Sequence, residues 1–241
     1  MHYICSDIHG YYSRFLSLLE KIAFSESDEM YILGDVIDRG PRPITLLEHV
    51  LSTPNIHLLI GNHEHMMLSV KNRTDLAIWH QNGAETTLFE FRKRGQEKRE
   101  EIIKAMRELP LVIPELKVND RKYYLVHACP LPFQVASESF PYKNAIEDLV
   151  NTAVWDRRLT DDSRPAIEIL GDVIKKYRDT TLIIGHTPIP FCSYSQDRTT
   201  SQGKPRITRA YHGRLINVDC GCGYGMELGC LRLEDHHEFY V

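Results

Sequence analysis

The chain has 241 residues, 42% of them apolar and 26% charged, with a formal net charge of −4. This length and balance predict a soluble globular protein with an ample core; they exclude the basic footprint of a general nucleic-acid binder or membrane-surface protein, so neither partner is expected. Six scattered cysteines (Cys5, Cys129, Cys192, Cys220, Cys222, Cys230), no cationic leader and no stretch of transmembrane length give a cytoplasmic expectation with reduced thiols.

In chain order, residues 2–5 predict a first strand, ending in Ser6-Asp7-Ile8-His9-Gly10. Phe15, Leu16, Leu18, Leu19 and Ile22 then recur at helical spacing. A second buried strand over 30–33 runs into Gly34-Asp35-Val36-Ile37-Asp38-Arg39-Gly40. Pro41-Arg42-Pro43 follows, and Ile44, Leu46, Leu47, Val50 and Leu51 read as a helix with proline in its first turn. A third strand over 56–60 ends in Gly61-Asn62-His63-Glu64, with a helix opening at about residue 65. Three consecutive strand–turn–helix units argue for α/β architecture with a substantially parallel sheet.

Residues 72–109 carry helical patterns and no strand, and are read as a helical insert in one domain spanning 1–241. Its basic residues between Arg92 and Arg107 outnumber the acids and read first as solvated faces, second as a weak attraction for an anionic substrate. A hairpin over 111–126 turns at Asn119-Asp120 and ends in His127-Ala128-Cys129-Pro130. A short helix over 144–150 leads to Ala153-Val154-Trp155-Asp156-Arg157, and a further helical pattern covers 167–177. A strand over 181–184 ends in Gly185-His186-Thr187-Pro188, a polar loop spans 193–206, and strands over 215–218, 229–233 and 238–241 complete the chain.

Five apolar strands thus end in polar, metal-capable residues: Asp7 with His9, Asp35 with Asp38, Asn62 with His63, His127, and His186. The carboxyl ends of strands in an open α/β sheet gather on one edge, where ligands bind, so these turns are expected to converge. Mixed oxygen and nitrogen donors suit Mn²⁺, Fe or Zn²⁺ better than Mg²⁺ or Ca²⁺. Taken singly, Asp38 and Arg39 read as a helix-start ion pair and His127 as a core histidine. His49, His57, His65, His80, His212, His236 and His237 read as structural or surface residues. Cys220-Gly221-Cys222 with Cys230 has the wrong spacing for a Cys₄ zinc site and reads as small thiols packed in late strands. Glu64 reads as a residue that holds a neighbouring loop or ligand.

Ser6 to Gly10, Gly34 to Gly40 and Gly61 to Glu64 resemble the three signature blocks of calcineurin-like metallophosphoesterases, in their phosphoprotein phosphatase branch. Three blocks in order at suitable spacing are a specific pattern, whereas Asp-x-His alone is not. The resemblance implies a layered α+β fold, a β-sandwich flanked by helices. It implies two divalent cations, with Mn²⁺ first and Fe or Zn²⁺ as alternatives. Asp7 and His9 are implied as ligands of one cation, Asp35 as the bridge, and Asn62, His127 and His186 as ligands of the other. His63 and Asp38 are implied as an acid dyad, and Arg39 and Arg157 as phosphate clamps, with the Asn62 amide also facing phosphate. The chemistry is coherent on its own terms. Two cations roughly 3.5–4 Å apart lower the pKa of a shared water towards ~7, guanidinium groups bind phosphate oxygens bidentately, and an imidazole held by a carboxylate protonates the leaving oxygen.

Gly185-His186-Thr187-Pro188, Leu109-Pro110-Leu111 and Trp155-Asp156-Arg157 are similar to the small bacterial and phage serine/threonine protein phosphatases. Symmetrical diadenosine tetraphosphate hydrolases share the first three blocks but typically continue from the late Gly-His into Trp-Ala, which this chain lacks. The resemblance therefore implies a metal-dependent phosphoester hydrolase, first of serine/threonine phosphoproteins, with dinucleoside polyphosphates or other small phosphoesters as the alternative. A non-catalytic metal- or phosphate-binding module is the competing class. Retention of both His63 and Asp38 argues against it, because a binder needs no proton donor.

Overall fold

Strand β1 (His2–Cys5) leads through helix α1 (Tyr12–Lys21) to β2 (Glu29–Ile32), and through α2 (Pro43–Ser52) to β3 (Ile56–Leu58). The two helical crossovers leave β1, β2 and β3 parallel and adjacent. Near the C-terminus, β9 (Gly229–Arg232) and β10 (Glu238–Tyr240) complete this first sheet in the order β10-β9-β1-β2-β3. A second five-stranded sheet has the order β4-β5-β6-β8-β7, built from β4 (Val112–Val118), β5 (Arg121–Val126), β6 (Thr180–Ile184), β7 (Thr208–Ala210) and β8 (Leu215–Asn217). The computed structural model describes residues 1–131, 141–160, 179–192 and 203–241. The helical pattern over 167–177 and positions 193–202 of the polar loop lie outside the described residues.

The two-residue period of the strands decides which side chains meet. Ile4, Leu33 and Leu231 of the first sheet share one buried cluster with Tyr123, Leu125, Ile183 and Ile216 of the second, so the sheets pack face to face. The alternate residues Tyr3, Cys5, Met30 and Ile32, and likewise Tyr124, Val126, Leu182 and Ile184, belong to a larger cluster with helical Phe15, Leu18, Leu47, Val150 and Val154. Helices therefore cover the outer faces, and the result is a mixed α/β sandwich. The sequence expectation of an α/β, layered β-sandwich flanked by helices holds. Among the described residues no helix is long and apolar enough to cross a membrane.

Several boundaries differ from the sequence reading. The helix expected from residue 65 is α3 (Asn62–Ser69). It begins three residues earlier because the Glu64 carboxylate accepts the Gly61 amide at 3.0 Å and closes the first turn. This puts Asn62 and His63 at a helix N-terminus rather than in a loop. The helix expected over 144–150 is displaced to α7 (Glu147–Trp155), so Trp155 closes a helix and Arg157 follows it. The expected parallel sheet is parallel only within β1–β3 and along β5-β6-β8: short connections reverse the chain between β4 and β5, β7 and β8, and β9 and β10, and β9 pairs antiparallel with the distant β1. β7 has no counterpart in the sequence pattern, since three residues are too few to show a period. The insert forms α4 (Arg73–Gln81), α5 (Glu85–Arg92) and α6 (Gln96–Arg107). The Asn72 side chain caps α4 by accepting from Thr74 and Asp75 amides at 2.8 and 3.0 Å.

Candidate metal centre

Each strand that points its carboxyl end to one edge delivers a polar residue there. Asp7 and His9 follow β1, Asp35 to Arg39 follow β2, and Asn62 and His63 open α3 after β3. His127 directly follows β5, and His186 stands two residues beyond β6. Aiming these side chains bends the backbone into the left-handed region at Asp7, His9, Asp35, Asp38, Arg39 and His186, with φ between 48° and 71°. Non-glycine residues there cost about 1–3 kcal/mol each and persist only where their surroundings hold them.

The holding contacts are visible. His9 N donates to Asp35 O at 2.9 Å, Gly10 N to Val36 O at 2.7 Å, and Gly40 N to His9 O at 2.9 Å, which laces the first two turns together. The buried Glu64 carboxylate accepts four backbone amides, from Asp35 (2.8 Å), Val36 (2.9 Å), Gly61 (3.0 Å) and Ile37 (3.3 Å). Burial still pushes its pKa up to about 7, against the lowering by these amides. Gly34, at φ +93°, lies so close to Gly61 that a Cβ would come within 2.6 Å of the Gly61 Cα, so the second and third turns meet backbone to backbone.

Asp35 lies at the middle of the imidazoles. Its Oδ1 accepts the His63 amide at 3.0 Å, while its Oδ2 is 3.6 Å from His9 Nε2, 3.5 Å from His127 Nε2 and 3.9 Å from His63 Nε2. His9 Nδ1 donates to Ile37 O at 2.9 Å and His127 Nδ1 to Leu33 O at 2.6 Å. A carbonyl oxygen only accepts, so both rings carry their proton on Nδ1 and turn a bare Nε2 lone pair inward. Asn62 Oδ1 lies 3.0 Å from His127 Nε2 and 2.9 Å from His186 Nδ1. The His127 lone pair thus faces an amide oxygen and a carboxylate with no proton between them. His186 Nε2 is buried with no hydrogen-bond partner. Two sets of donors converge within 4.8 Å, His9–Asp35–His63 and Asp35–His127–His186, and they share Asp35.

Electrostatics point the same way. Burial holds His9, His63, His127 and His186 below the ordinary imidazole pKa. Asp35 is driven well above the carboxylate range by burial, then by the neighbouring Asp7 and Glu64. Neutral imidazole nitrogens and crowded carboxylate oxygens, all buried, are a donor set that a divalent cation satisfies. The residues present therefore fit two such ions.

Asp38 lies behind the cavity rather than in it. His63 Nδ1 is 2.6 Å from Asp38 Oδ2, which also accepts the Trp79 indole at 2.7 Å; Asp38 Oδ1 accepts the Thr87 hydroxyl at 2.5 Å. Burial raises Asp38 to about 7 despite these donors. Arg39 reaches from the same turn with Nη1 at 2.9 Å from His9 Nε2 and Nη2 at 3.1 Å from His63 Nε2. Its amide donates to Gly83 O at 2.9 Å. Trp79, Gly83 and Thr87 all belong to the insert, so α4 and α5 brace the Asp38–Arg39 turn. Sequence reasoning left this role unread, because nothing local marks an indole 41 residues away as a carboxylate's partner.

The remaining expected residues fall around a cavity of about 80 Å³ lined by Asp7, His9, Asp35, Arg39, Asn62, His63, Arg157 and His186, among others. Asp7 Oδ2 accepts the His186 amide at 3.0 Å and the Ser6 hydroxyl, tying the two sheets together at the site. Arg157 stands exposed at the rim, its guanidinium 3.5 Å from Thr187 Oγ1. Sequence reasoning missed Asp219, which also lines the cavity: its Oδ1 accepts the Gly221 amide at 2.9 Å, while its buried Oδ2 has no partner. Burial, then Asp7, raises its pKa well above normal. It stands two residues beyond β8, and the strand-end rule that picked out the others applies to it equally. The histidines read as structural lie elsewhere, as with His57 on Glu29 at 2.6 Å and His65 on Tyr142 at 2.9 Å. All six cysteines are buried.

Comparison with known proteins places these features in context. The sequence profile described as calcineurin-like phosphoesterase matches residues 3–216. The chain is 26% identical over 244 residues to the asymmetrical bis(5'-nucleosyl)-tetraphosphatase PrpE of Geobacillus thermodenitrificans, covering 95% of this chain and 89% of that protein. It is 26% identical over 190 residues to serine/threonine-protein phosphatase 2 of Salmonella typhimurium, covering 78% of this chain and 80% of that one. Among solved structures, a protein serine/threonine phosphatase of Saccharomyces cerevisiae superposes with a TM-score of 0.64 at 15% identity, covering all of this chain and 78% of its own. A cold-active protein-tyrosine phosphatase of a Shewanella species gives 0.61 at 22% identity, covering 100% and 80%. These two likenesses concern the fold alone.

Proposed function

The chain belongs to the calcineurin-like phosphoesterase family, and from that premise we propose that it is a two-cation phosphoester hydrolase. The observation that carries this reading is the pair of donor groups sharing Asp35, beside a buried His63–Asp38 pair and two arginines. Asp7, His9 and Asp35 would hold one ion; Asp35, Asn62, His127 and His186 would hold the other. His63 stands within reach of the first group by distance, but its Nδ1 is engaged by the Asp38 carboxylate where that of His9 meets a neutral carbonyl, which marks His63 for proton transfer rather than ligation. The chemistry that such cations would supply when bound is a lowered water pKa, towards ~7, and positive charge to offset phosphate. The metal we assign first is Mn²⁺, with Fe or Zn²⁺ compatible with the same donors.

The chain's own residues supply the rest. Arg39 and Arg157 clamp phosphate oxygens from two sides, and bidentate guanidinium bonds are strongest against the most charged state. The amide nitrogen of Asn62 is free to donate to phosphate while its oxygen serves the metal. Arg39 Nη2 now donates to the His63 Nε2 lone pair at 3.1 Å; phosphate binding that draws the guanidinium away frees that nitrogen to take a proton from solvent water and pass it to the leaving oxygen. Asp38 fixes the ring and stabilises the imidazolium that donates the proton.

For the substrate, we place dinucleoside polyphosphates first, since the PrpE relative aligns along 95% of the chain and the protein phosphatase along 78%. Serine/threonine phosphoproteins are the second reading, favoured by Gly185-His186-Thr187-Pro188 and Trp155-Asp156-Arg157. A side-by-side panel on protein loaded with Mn²⁺, Zn²⁺, Fe²⁺ or Co²⁺ tests both. It comprises diadenosine tetraphosphate and phosphoserine, phosphothreonine and phosphotyrosine peptides. Turnover of the dinucleotide above the peptides is the expected result. No turnover of any substrate with any ion returns the chain to the class of binding modules.

A further inference from the structure

Beside the cavity, two large aromatic rings face solvent. Tyr224 closes the 3-10 turn Cys222–Tyr224 that follows β8, and Phe191 closes the turn Ile189–Phe191 that follows β6. They are 55% and 60% exposed, yet their centroids lie 5.7 Å apart with the planes at 84°. Edge-to-face pairs of this kind are common in cores. Here the pair is left open, next to a polar cavity that Tyr224 itself lines.

The neighbouring residues tie the pair to the phosphate end of the site. The Arg39 guanidinium stacks over the Tyr224 ring, 4.7 Å from its centroid. Tyr224 is flanked by Gly223 and Gly225. A Cβ at Gly223 would run into the His9 ring and lie 2.8 Å from Arg39 Nη1, whereas one at Gly225 meets nothing within 4 Å. Bare glycine backbone at Gly223 therefore lies between Tyr224 and the His9 and Arg39 side chains of the cavity. Two rings at right angles offer one plane to the face of a flat group and one to its edge. A purely aliphatic or hydrophilic substituent gains little from such a corner, whereas a flat aromatic one gains stacking.

We propose that Tyr224 and Phe191 form a stacking subsite for a nucleobase whose phosphate is held by Arg39 in the adjoining cavity. This rests on the hydrolase reading and specifies its substrate class. The subsite selects ligands by what lies beyond the phosphate, and it contributes to binding whether or not turnover follows.

The test is equilibrium titration of Mn²⁺-loaded protein with non-hydrolysable phosphonate analogues of AMP, ribose 5-phosphate and phosphotyrosine. The first two differ only by the base. The wild type is expected to bind the AMP analogue about 10-fold more tightly than the ribose one. Phe191→Leu should bring that preference to within about 2-fold and leave the affinity for the ribose analogue unchanged, since the ring stacked on Arg39 is that of Tyr224. Tyr224→Leu should remove the preference as well, and weaken both ligands through Arg39. Equal affinities for the two analogues in the wild type overturn the proposal, as does a preference that survives both substitutions. A phosphotyrosine analogue that binds more tightly than the AMP one, and responds alike to Phe191→Leu, overturns the assignment to a nucleobase in favour of a tyrosyl ring. Because the readout is binding, an absence of turnover in the activity panel defeats the hydrolase reading separately and leaves this result standing.

Discussion

Along the first sheet, seven residues from Asp7 to His63 come from three consecutive strand-to-helix turns. The second sheet offers His127, His186 and Asp219 from strands far apart in sequence. The two regions hold their side chains by different means. In the first, five of the six left-handed site residues crowd together, and cross-turn amide bonds and the Glu64 carboxylate keep them there. In the second, the bonds run residue by residue: His127 Nδ1 to Leu33 O, His186 N to Asp7 Oδ2, and Gly221 N to Asp219 Oδ1, with the Asp219 amide donating to Asn217 Oδ1. Two of those bonds end on the first sheet. The first region is thus a laced cradle, and the second a set of individual donors hung from it.

The most severe test of that picture is at the shared residue. Asp35→Asn removes the carboxylate that both donor groups use, so turnover should fall by about 10⁴-fold or more. Elemental analysis should show divalent cations depleted at both positions. Retention of two ions per chain would end its bridging role. Next is His63→Asn, which takes the proton donor from the cradle and spares the ligands. Metal content should persist, while turnover of phosphoserine drops roughly 10²–10⁴-fold. Aryl phosphates and phosphoanhydrides, whose leaving groups need less protonation, should lose less; equal losses on all three contradict the acid assignment.

Glu64→Gln probes the lacing itself. A neutral amide cannot accept four buried backbone N–H groups, so a destabilisation of about 2–3 kcal/mol is expected in denaturant titrations. Wild-type stability would mean that the three turns hold without it. Trp79→Phe keeps the ring and deletes the indole donor to Asp38, 2.7 Å away. A loss of about 10-fold in kcat with metal content intact is the expected result, and unchanged kcat would reduce the insert to packing.

The smallest effect concerns acid–base linkage in metal-free protein. Burial holds Asp38 and Glu64 up to about 7 and Asp35 and Asp219 well above the carboxylate range. The folded chain therefore retains protons that the unfolded chain has already released, and stability drops as pH rises through about 7. The four buried imidazoles, held below their ordinary value of 6.5, oppose this wherever the unfolded histidines carry charge, and so reduce the difference read from pH 6.5. In EDTA the melting temperature should be lower at about pH 8.5 than at about pH 6.5, by roughly 5 °C, and Mn²⁺ should flatten the dependence. A flat profile in EDTA would show that the carboxylates of the two regions do not repel one another as their burial requires.

The three turn blocks and the late histidines were legible in the sequence because each donor follows an apolar run by one to four residues. Chain connectivity then places it at a strand's carboxyl edge whatever the rest of the fold does. The same short-range rule covers Asp219, which directly follows Val218. What only the tertiary structure decided is which elements meet. Trp79 and Thr87 reach Asp38 across 41 and 49 residues, Glu64 laces turns that precede it, and Tyr224 meets Phe191 from another strand's loop. Hydrophobic periodicity tells which face of a strand or helix is buried and is silent on what packs against it. That choice belongs to the packing of the two sheets and their covering helices.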